Sequence, residues 1–232
     1  MIIKRIIRNS VENFFFKLPN KKGIIFLLNL QRRLYLFTLG IIKLDEMKNF
    51  KIINPRHRLT SINDFFIKNI SSDERILDVG CGTGFTANLV ADKAKFVLGI
   101  DIRKNIIYNC NKIYKKENLK FQNKDLFDFD QDDNFDTIII GNVLEHIDDR
   151  KAFLKQCSKV AKKILITVPA FDRDWIVPYQ KELGVEWRKN IDHRLEYTND
   201  ILLKELEQSN YEVNEIYSRW GNYFCHATSK EY

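Results

Sequence analysis

The chain has 232 residues, enough for one α/β domain with an appendage. Its four cysteines show no paired spacing, which argues against a structural zinc site and predicts a reducing, cytoplasmic environment. The net charge of +7 is concentrated in residues 1–58, which carry 13 Lys and Arg against 3 Asp and Glu. The remaining residues have a small negative net charge, which argues against a nucleic-acid-binding domain.

Residues 1–58 form a basic and apolar N-terminal extension, for which the sequence predicts helices near Val11 to Phe16 and Ile24 to Leu39. Its longer apolar runs are each shorter than a bilayer-spanning helix and are separated by Gln31, Arg32 and Arg33. No signal-peptide cleavage site follows them. Two interpretations stay open: the extension packs on the following domain as a lid, or it lies peripherally on anionic lipid at the inner membrane surface. A nucleic-acid-binding patch is a third interpretation.

Residues 59–232 alternate strands with helices, as is typical of a parallel sheet covered by helices on both faces. A first helix is predicted from a cap at Thr60 or Ser61 to Ile70. The predicted strands are Arg75 to Val79, Phe96 to Ile100, Leu119 to Gln122, Thr137 to Gly141, Lys163 to Val168, Tyr211 to Tyr217 and Tyr223 to Thr228. The predicted helices among them are Phe85 to Lys93, Lys104 to Tyr114, Arg150 to Ala161 and Asn199 to Ser209. No helix separates the last two strands, so we expect a doubly wound, mostly parallel seven-stranded α/β sheet with a C-terminal antiparallel hairpin.

A glycine-rich turn follows the strand that begins at Arg75, with Gly80, Gly82 and Gly84 at alternate positions. Such a turn lets backbone amides approach a ligand closely at the mouth of a doubly wound sheet. Asp101 ends the next apolar run about twenty residues on, where a βαβ unit places a carboxylate against ribose hydroxyls. Together these features predict an adenosine-bearing cofactor.

Asp78, two residues before the first glycine, discriminates between two such cofactors. A dinucleotide site usually reads G-x-G-x-x-G and holds a pyrophosphate, which this carboxylate would repel. The carboxylate instead suits the cationic amino group of an amino-acid ligand. The observed D-x-G-x-G-x-G resembles the first motif of the class I S-adenosylmethionine-dependent methyltransferases, and the resemblance covers roughly Asp73 to the C-terminus. It implies a Rossmann-like fold, S-adenosylmethionine as methyl donor and S-adenosylhomocysteine as product.

The predicted cofactor contacts lie at the carboxyl ends of successive strands, where open α/β sheets bind ligands. Thr83 offers a hydroxyl near the amino-acid end of the cofactor, and Ile102 offers a surface for the adenine ring. The resemblance implies that Asp125 accepts a hydrogen bond from the adenine amino group and that the Asn142 carbonyl faces the methionine amino group. The complete set is Asp78, Gly80, Cys81, Gly82, Thr83, Gly84, Asp101, Ile102, Asp125, Leu126 and Asn142.

Two further segments resemble acceptor-side segments of the same family. Gly141 to Ile147 is similar to an x-x-L-E-H-I segment of small-molecule methyltransferases, and Asp192 to Thr198 is similar to an H-R-x-x-Y/T run. A hydroxyl acceptor benefits from a base whose pKa is near neutral, so His146 is the first candidate for the catalytic base and His193 the second. Structural roles for both histidines stay open. The predicted substrate-binding residues are Arg56, Arg58, Arg194 and Tyr197, and no metal site is predicted.

These features predict methyl transfer from S-adenosylmethionine to an oxygen of a small-molecule or surface-glycan-pathway acceptor. The strand that ends at Gly141 is not followed by the N/D-P-P-Y/F motif of enzymes that methylate exocyclic base amines, so nucleic acid is not the expected partner. The chain also resembles quinone-pathway O-methyltransferases, whose isoprenoid-lipid acceptors would explain a membrane contact of the N-terminal extension. Two alternatives of another class stay open: an NAD(P)-dependent oxidoreductase and a cofactor-binding module without activity.

Overall fold

The computed structural model describes residues 21–48, 59–60 and 62–231, which divide into two compact units. The smaller unit combines the described residues before position 59 with Asp174–Arg188. The larger unit comprises Leu59–Arg173 and the chain from Lys189 onward, and it carries the sheet. The predicted helix near Val11 to Phe16 and the predicted cap at Ser61 lie outside the described residues.

The larger unit is built on one seven-stranded sheet with the strand order β3-β2-β1-β4-β5-β7-β6. The first five strands pair in parallel with one another, and β7 pairs antiparallel with both β5 and β6. This confirms the predicted doubly wound, mostly parallel sheet with a C-terminal hairpin. The strands are β1 (Arg75–Val79), β2 (Phe96–Ile100), β3 (Leu119–Gln122), β4 (Thr137–Gly141), β5 (Lys163–Pro169), β6 (Tyr211–Arg219) and β7 (Asn222–Ser229).

Successive residues of the central strands pack into separate cores on the two faces of the sheet. Leu77 and Ile138 belong to one cluster of buried residues, and Ile76 and Ile139 belong to the other. Because both faces are covered, β4 is a continuous apolar run rather than an alternating one. Each fully buried aliphatic side chain contributes roughly 1.5–3 kcal/mol, so these clusters firmly fix the strand ends from which the site is built.

Helices flank the sheet close to the predicted positions. The helices of the larger unit are α2 (Ile62–Lys68), α3 (Phe85–Val90), α4 (Lys104–Ile113), α5 (Arg150–Val160) and α7 (Asn199–Gln208). Asp149 caps α5 by accepting a hydrogen bond from the Ala152 N–H at 2.9 Å, and Thr198 caps α7. The apolar stripe of α5 contains Phe153 and Leu154, both buried in the core on one face of the sheet.

The C-terminal hairpin closes through a two-residue turn. Trp220 and Gly221 both have positive φ, at 52° and 68°. Two such residues make the type I′ turn, whose twist matches that of the flanking strands. The strands are slightly longer than predicted because pairing continues up to this turn, with Arg219 opposite Asn222.

The smaller unit contains α1 (Lys22–Lys48) and α6 (Ile176–Glu182). α1 is longer than the predicted helix from Ile24 to Leu39 and continues through the arginines that separate its apolar runs. Over Lys22–Ile42 it is long and apolar enough to cross a membrane, judged by length and composition alone. Arg32 donates from its guanidinium to the Arg188 carbonyl oxygen at 2.7 Å, which ties the two parts of this unit together.

Candidate active site

The turn after β1 has the backbone that its glycines predict. Gly80, Gly82 and Gly84 have φ values of 66°, 53° and 75°, in the left-handed region that disfavours other residues. A Cβ on Gly80 would lie 2.6 Å from Cγ2 of Val143, which follows β4. The turn therefore approaches the end of β4 more closely than any side chain would allow.

Asp78 lies in β1 directly before this turn and is buried. Its Oδ2 atom has no hydrogen-bond partner within the described part of the chain. Burial raises the pKa of this carboxyl group to about 7, although a hydrogen bond from the Ala87 backbone opposes the rise. A buried carboxylate with an unused oxygen favours a cationic ligand group in contact with it.

Asp101 follows β2 and is held by a residue that the sequence analysis did not single out, Arg103. Oδ1 of Asp101 accepts from the Arg103 N–H and Nε, both at 2.9 Å, while Oδ2 accepts from the Arg103 guanidinium at 2.8 Å. Oδ2 also accepts from the Gly82 N–H at 3.2 Å. Burial tends to raise the pKa of Asp101, but the hydrogen bonds from Arg103 lower it below the ordinary value. All of the roughly four lone-pair positions of this carboxylate are thus occupied.

Two buried thiols lie beneath the glycine turn. The Cys110 thiol is 3.3 Å from the Gly82 carbonyl oxygen, and the Cys81 thiol is 4.0 Å from the same atom. A hydrogen bond between the two thiols raises the pKa of Cys81 and keeps it protonated. In contrast, Thr83 and Ile102 at the rim of the site are exposed.

The remaining predicted cofactor residues follow β3 and β4. Asp125 is exposed and caps a short 3₁₀-helix, Leu126–Asp128, by accepting from the Phe127 N–H at 3.1 Å. Leu126 itself is buried. Asn142 has a positive φ of 56°, and its Oδ1 atom is buried without a hydrogen-bond partner among the described residues. Asn142 thereby offers a second unused polar atom near the glycine turn.

His146 and His193, the two predicted base candidates, lie side by side although they come from distant segments. Their ring centroids are 4.8 Å apart, with the planes at 84°. His146 Nδ1 lies 3.4 Å from Asp192 Oδ2, and His193 Nδ1 lies 3.1 Å from Glu196 Oε1. Burial lowers the pKa of His146, against the opposing effect of Asp192. Each imidazole therefore presents Nδ1 to a carboxylate.

Two contacts of Arg194, one through its backbone and one through its side chain, hold the two histidine-bearing segments together. The Arg194 N–H donates to the Glu145 carbonyl oxygen at 2.7 Å. The Arg194 side chain forms an ion pair with Asp148, with Nε and Oδ1 2.7 Å apart. Arg194 therefore joins the loop after α6 to the short 3₁₀-helix Leu144–His146 that follows β4.

Glu196 is a functional candidate that the sequence analysis missed. It is buried, and besides His193 its carboxylate accepts from the Arg173 guanidinium and from the Lys189 backbone N–H. In the sequence, the position of an acid three residues after His193 is the one feature that points to this contact. It does not predict the contact by itself, because the loop conformation decides whether the two side chains meet. The contact between its carboxylate and Nδ1 of His193 fixes the orientation of the imidazole ring.

The predicted substrate-binding residues differ in where the structure places them. Arg56 and Arg58 lie outside the described residues. Tyr197 is completely buried, and its hydroxyl donates to Glu205 Oε2 at 2.9 Å, so the structure gives this side chain a place in the core. Arg194 is half exposed beside the histidine pair.

A family model described as a methyltransferase domain matches residues 70–231, well over half of the chain. The chain belongs to the class I S-adenosylmethionine-dependent methyltransferases. This placement decides between the two cofactors that the glycine turn left open, because the methyl donor of the family is S-adenosylmethionine. The structure fits that cofactor: Asp78 supplies a buried carboxylate oxygen for an ammonium group, and the glycine turn supplies a cradle that a Cβ would fill.

Curated relatives of this methyltransferase act on different acceptors. It is 25% identical to the ubiquinone biosynthesis O-methyltransferase of Rhodopseudomonas palustris (strain TIE-1), over 72% of this chain and 78% of that protein. It is 32% identical to ribosomal RNA small subunit methyltransferase A of Mesomycoplasma hyopneumoniae (strain 232), over 48% of this chain. The matched part spans only 40% of that second relative. Both relatives are therefore methyltransferases, as this chain is, but their names give different acceptors.

Among solved structures, magnesium protoporphyrin IX methyltransferase from Synechocystis PCC 6803, with bound S-adenosylhomocysteine, is similar with a TM-score of 0.56. The alignment covers 75% of this chain and 83% of that chain at 15% identity. At this identity the similarity shows the methyltransferase fold.

Proposed function

We propose that this methyltransferase transfers the methyl group of S-adenosylmethionine to a hydroxyl oxygen of a small-molecule or glycan-pathway acceptor. The observation that carries the proposal is the pairing of His146 and His193 at the carboxyl edge of the sheet, 4.8 Å apart. A hydroxyl is a weak nucleophile until its proton is removed, whereas an unprotonated amine needs no base. A pair of oriented imidazoles thus favours an oxygen acceptor.

When bound, the cofactor would supply a methyl group on a positively charged sulfur, open to in-line displacement by an oxygen nucleophile. Asp78 binds the cofactor's ammonium group and thereby satisfies its own buried oxygen. Asp101 would accept the ribose hydroxyls only if the exposed guanidinium of Arg103 released its carboxylate, because the lone pairs of Asp101 are occupied. Catalysis then rests mainly on holding acceptor and methyl group close and in line.

His146 is the first candidate to remove the acceptor proton. Because its Nδ1 faces Asp192, the tautomer with a proton on Nδ1 leaves the lone pair on Nε2. His193, held in the same way by Glu196, packs edge-on against it and is the second candidate. The proton passes from the acceptor oxygen to the imidazole and from there to solvent as the new carbon–oxygen bond forms.

The extent of the alignments supports oxygen rather than a nucleic-acid base as the acceptor atom, although the ribosomal RNA methyltransferase has the higher identity, 32% against 25%. The ubiquinone biosynthesis O-methyltransferase aligns over 72% of this chain, whereas the ribosomal RNA methyltransferase aligns over 48%. The charge of the chain after residue 58 also opposes binding to a polyanion, since its acidic residues outnumber its basic ones.

A lipid-borne hydroxyl acceptor, as in quinone and other isoprenoid pathways, is the second candidate. The observation that favours it is the long apolar surface of α1, on which Leu34 and Phe37 are 58% and 68% exposed. Residues 1–58 also carry a net positive charge, which complements an anionic lipid surface.

The test uses the full chain with methyl-labelled S-adenosylmethionine and fractionated lysate of the source cells. We expect label in the small-metabolite, glycan or lipid fraction, and we expect His146→Gln to lower the rate of labelling at least tenfold. Affinity for S-adenosylhomocysteine, measured by calorimetry, should remain within about twofold. His226→Gln, a substitution on β7, serves as the matched control and should label at the wild-type rate. Labelling by His146→Gln at the wild-type rate would remove His146 as the base.

A further inference from the structure

The histidine pair belongs to a compact cluster that includes a buried carboxylate. One ligand-type atom each from Glu145, His146 and His193 lies within 4.8 Å of the others. In the part of the chain that the structure describes, this is the one such group of three or more His, Cys, Asp or Glu residues. Glu145 and His193 are buried, so the cluster differs from the solvated acidic groups that are common on protein surfaces.

The chemistry of the three side chains is that of a metal site. Two imidazoles and one carboxylate are the protein ligands of catalytic zinc in several hydrolases, and the set suits other divalent first-row metals as well. Three protein ligands leave at least one coordination position open for a substrate oxygen. The site uses none of the four cysteines, whose scattered spacing predicts no structural zinc site.

The residues around the cluster supply what metal-binding histidines need. A histidine ligand usually donates its second ring nitrogen to a carboxylate, which fixes the tautomer and the ring orientation. Here His146 faces Asp192 through Nδ1, and His193 faces Glu196 through Nδ1. The Arg173 guanidinium and the Lys189 N–H hold Glu196 in turn. With Nδ1 protonated against these carboxylates, each imidazole keeps the lone pair on Nε2 for a ligand.

We propose that Glu145, His146 and His193 bind a divalent transition-metal ion, and that the acceptor hydroxyl occupies its open coordination position. The ion lowers the pKa of the bound hydroxyl, so that its O–H bond breaks with release of the proton to solvent. The resulting oxyanion forms the bond to the methyl carbon while the carbon–sulfur bond of the cofactor breaks. This inference rests on the proposed function for its hydroxyl acceptor, and the ion then takes the place of direct proton transfer to His146.

Metal binding is tested on the full chain after treatment with EDTA and removal of the chelator. Titration with Co²⁺ should give one saturable site with visible d–d absorption, and Zn²⁺ should displace the Co²⁺. Glu145→Gln and His193→Ala should weaken Co²⁺ binding at least a hundredfold. Glu196→Gln, which touches only His193 in the cluster, should weaken it ten- to a hundredfold.

Two controls make the result specific. His226→Gln should bind Co²⁺ as the wild type does, since His226 lies on β7 outside the cluster. Thermal stabilisation by S-adenosylhomocysteine shows that each variant is folded, and Glu145→Gln provides a near-isosteric change if His193→Ala fails this check. Absence of a saturable Co²⁺ site in the folded wild type, or equal loss of binding in His226→Gln, would overturn the inference.

A comparison of labelling in EDTA-treated protein separates this inference from the proposed function. The inference predicts that labelling of the hydroxyl acceptor falls at least tenfold and returns when the metal is restored. Undiminished labelling of an oxygen in metal-free protein would overturn the metal site and leave the proposed function standing. Labelling of nitrogen would contradict the proposed function, whereas the Co²⁺ titration would still report on the metal site.

Discussion

At the residue scale, Asp78 couples cofactor binding to the stability of the protein without cofactor. Its carboxyl group has a pKa of about 7 in the folded chain, against an ordinary value of 3.8. An acid with a raised pKa binds its proton more tightly in the folded state, so the folded protein loses stability as pH rises from about 4 to about 7. The pKa difference corresponds to about 4 kcal/mol, lost by the time the solution is mildly alkaline.

We expect Asp78→Asn to stabilise the cofactor-free protein at pH 8 by a few kcal/mol, because the neutral amide avoids burying a charge. At pH 5 the wild-type side chain is protonated in the folded state but ionised in the unfolded state, so the difference between the two proteins should fall to roughly a third of its value at pH 8 and vanish only below about pH 4. The same substitution should weaken S-adenosylhomocysteine binding roughly ten- to a hundredfold at pH 8, since it removes the partner of the ammonium group. Urea unfolding at the two pH values and calorimetric titration measure the two effects.

Asp73→Asn is the matched control for this prediction, because Asp73 is an exposed acid shortly before β1. It should change neither the free energy of unfolding at pH 8 nor the affinity for S-adenosylhomocysteine. An Asp78→Asn protein that binds S-adenosylhomocysteine as tightly as the wild type would show that this carboxylate does not contact the cofactor.

At the scale of elements, α1 differs from the other described helices in its exposed apolar surface. Eleven large apolar side chains between Ile24 and Ile42 are exposed, which is typical of a surface that contacts a membrane or a partner. Arg32 is anchored to Arg188, and Arg33 lies next to it on the helix. Two central arginines oppose a spanning orientation and favour a helix lying in the interface of an anionic membrane.

We propose that α1 binds anionic lipid, and we expect the full chain to float with vesicles that contain phosphatidylglycerol but not with vesicles of phosphatidylcholine alone. Combining Leu34→Ser with Phe37→Ser should reduce the bound fraction at least tenfold, because each side chain contributes roughly 1.5–3 kcal/mol when buried in lipid. Raising the salt concentration should weaken binding by screening the basic extension.

Ile113→Ser on α4 is the control, since Ile113 is 57% exposed but belongs to the larger unit. It should leave vesicle binding unchanged. Equal binding to neutral and anionic vesicles would argue against charge recognition, and an equal loss with Ile113→Ser would remove α1 as the lipid-binding element.

The elements differ in how well the sequence predicts them. β1, β2 and β4 begin and end at the predicted residues, because a buried parallel strand is a short apolar run bounded by charged residues or glycine. α3 ends at Val90 rather than at the predicted Lys93, where the chain turns toward β2. α6 was not predicted, since its seven residues include Pro178 and have no clear apolar periodicity. α1 exceeds its predicted length because charged residues inside a helix do not end it.

At the scale of the whole molecule, the two halves of the site were predictable to different degrees. The cofactor half is local, since Asp78 and the glycine turn occupy one short segment whose motif defines its chemistry. The acceptor half requires the fold, because β4 and the loop before α7 must meet before His146 and His193 can touch. Asp192 contacts His146 only when these two segments pack together, so the sequence alone does not predict this contact. The hydrogen bonds of Arg103 to Asp101 likewise depend on where β2 places Asp101.

Because we propose that this methyltransferase modifies oxygen, the most direct test is the identity of the atom that receives the labelled methyl group. The full chain is incubated with methyl-labelled S-adenosylmethionine and lysate, and the labelled product is purified and analysed by mass spectrometry and NMR. We predict a methyl ether on a metabolite, glycan precursor or lipid, formed at least tenfold more slowly by Asp78→Asn when S-adenosylmethionine is kept below the dissociation constant of the wild type. A labelled nitrogen or carbon, or label confined to RNA, would contradict the account.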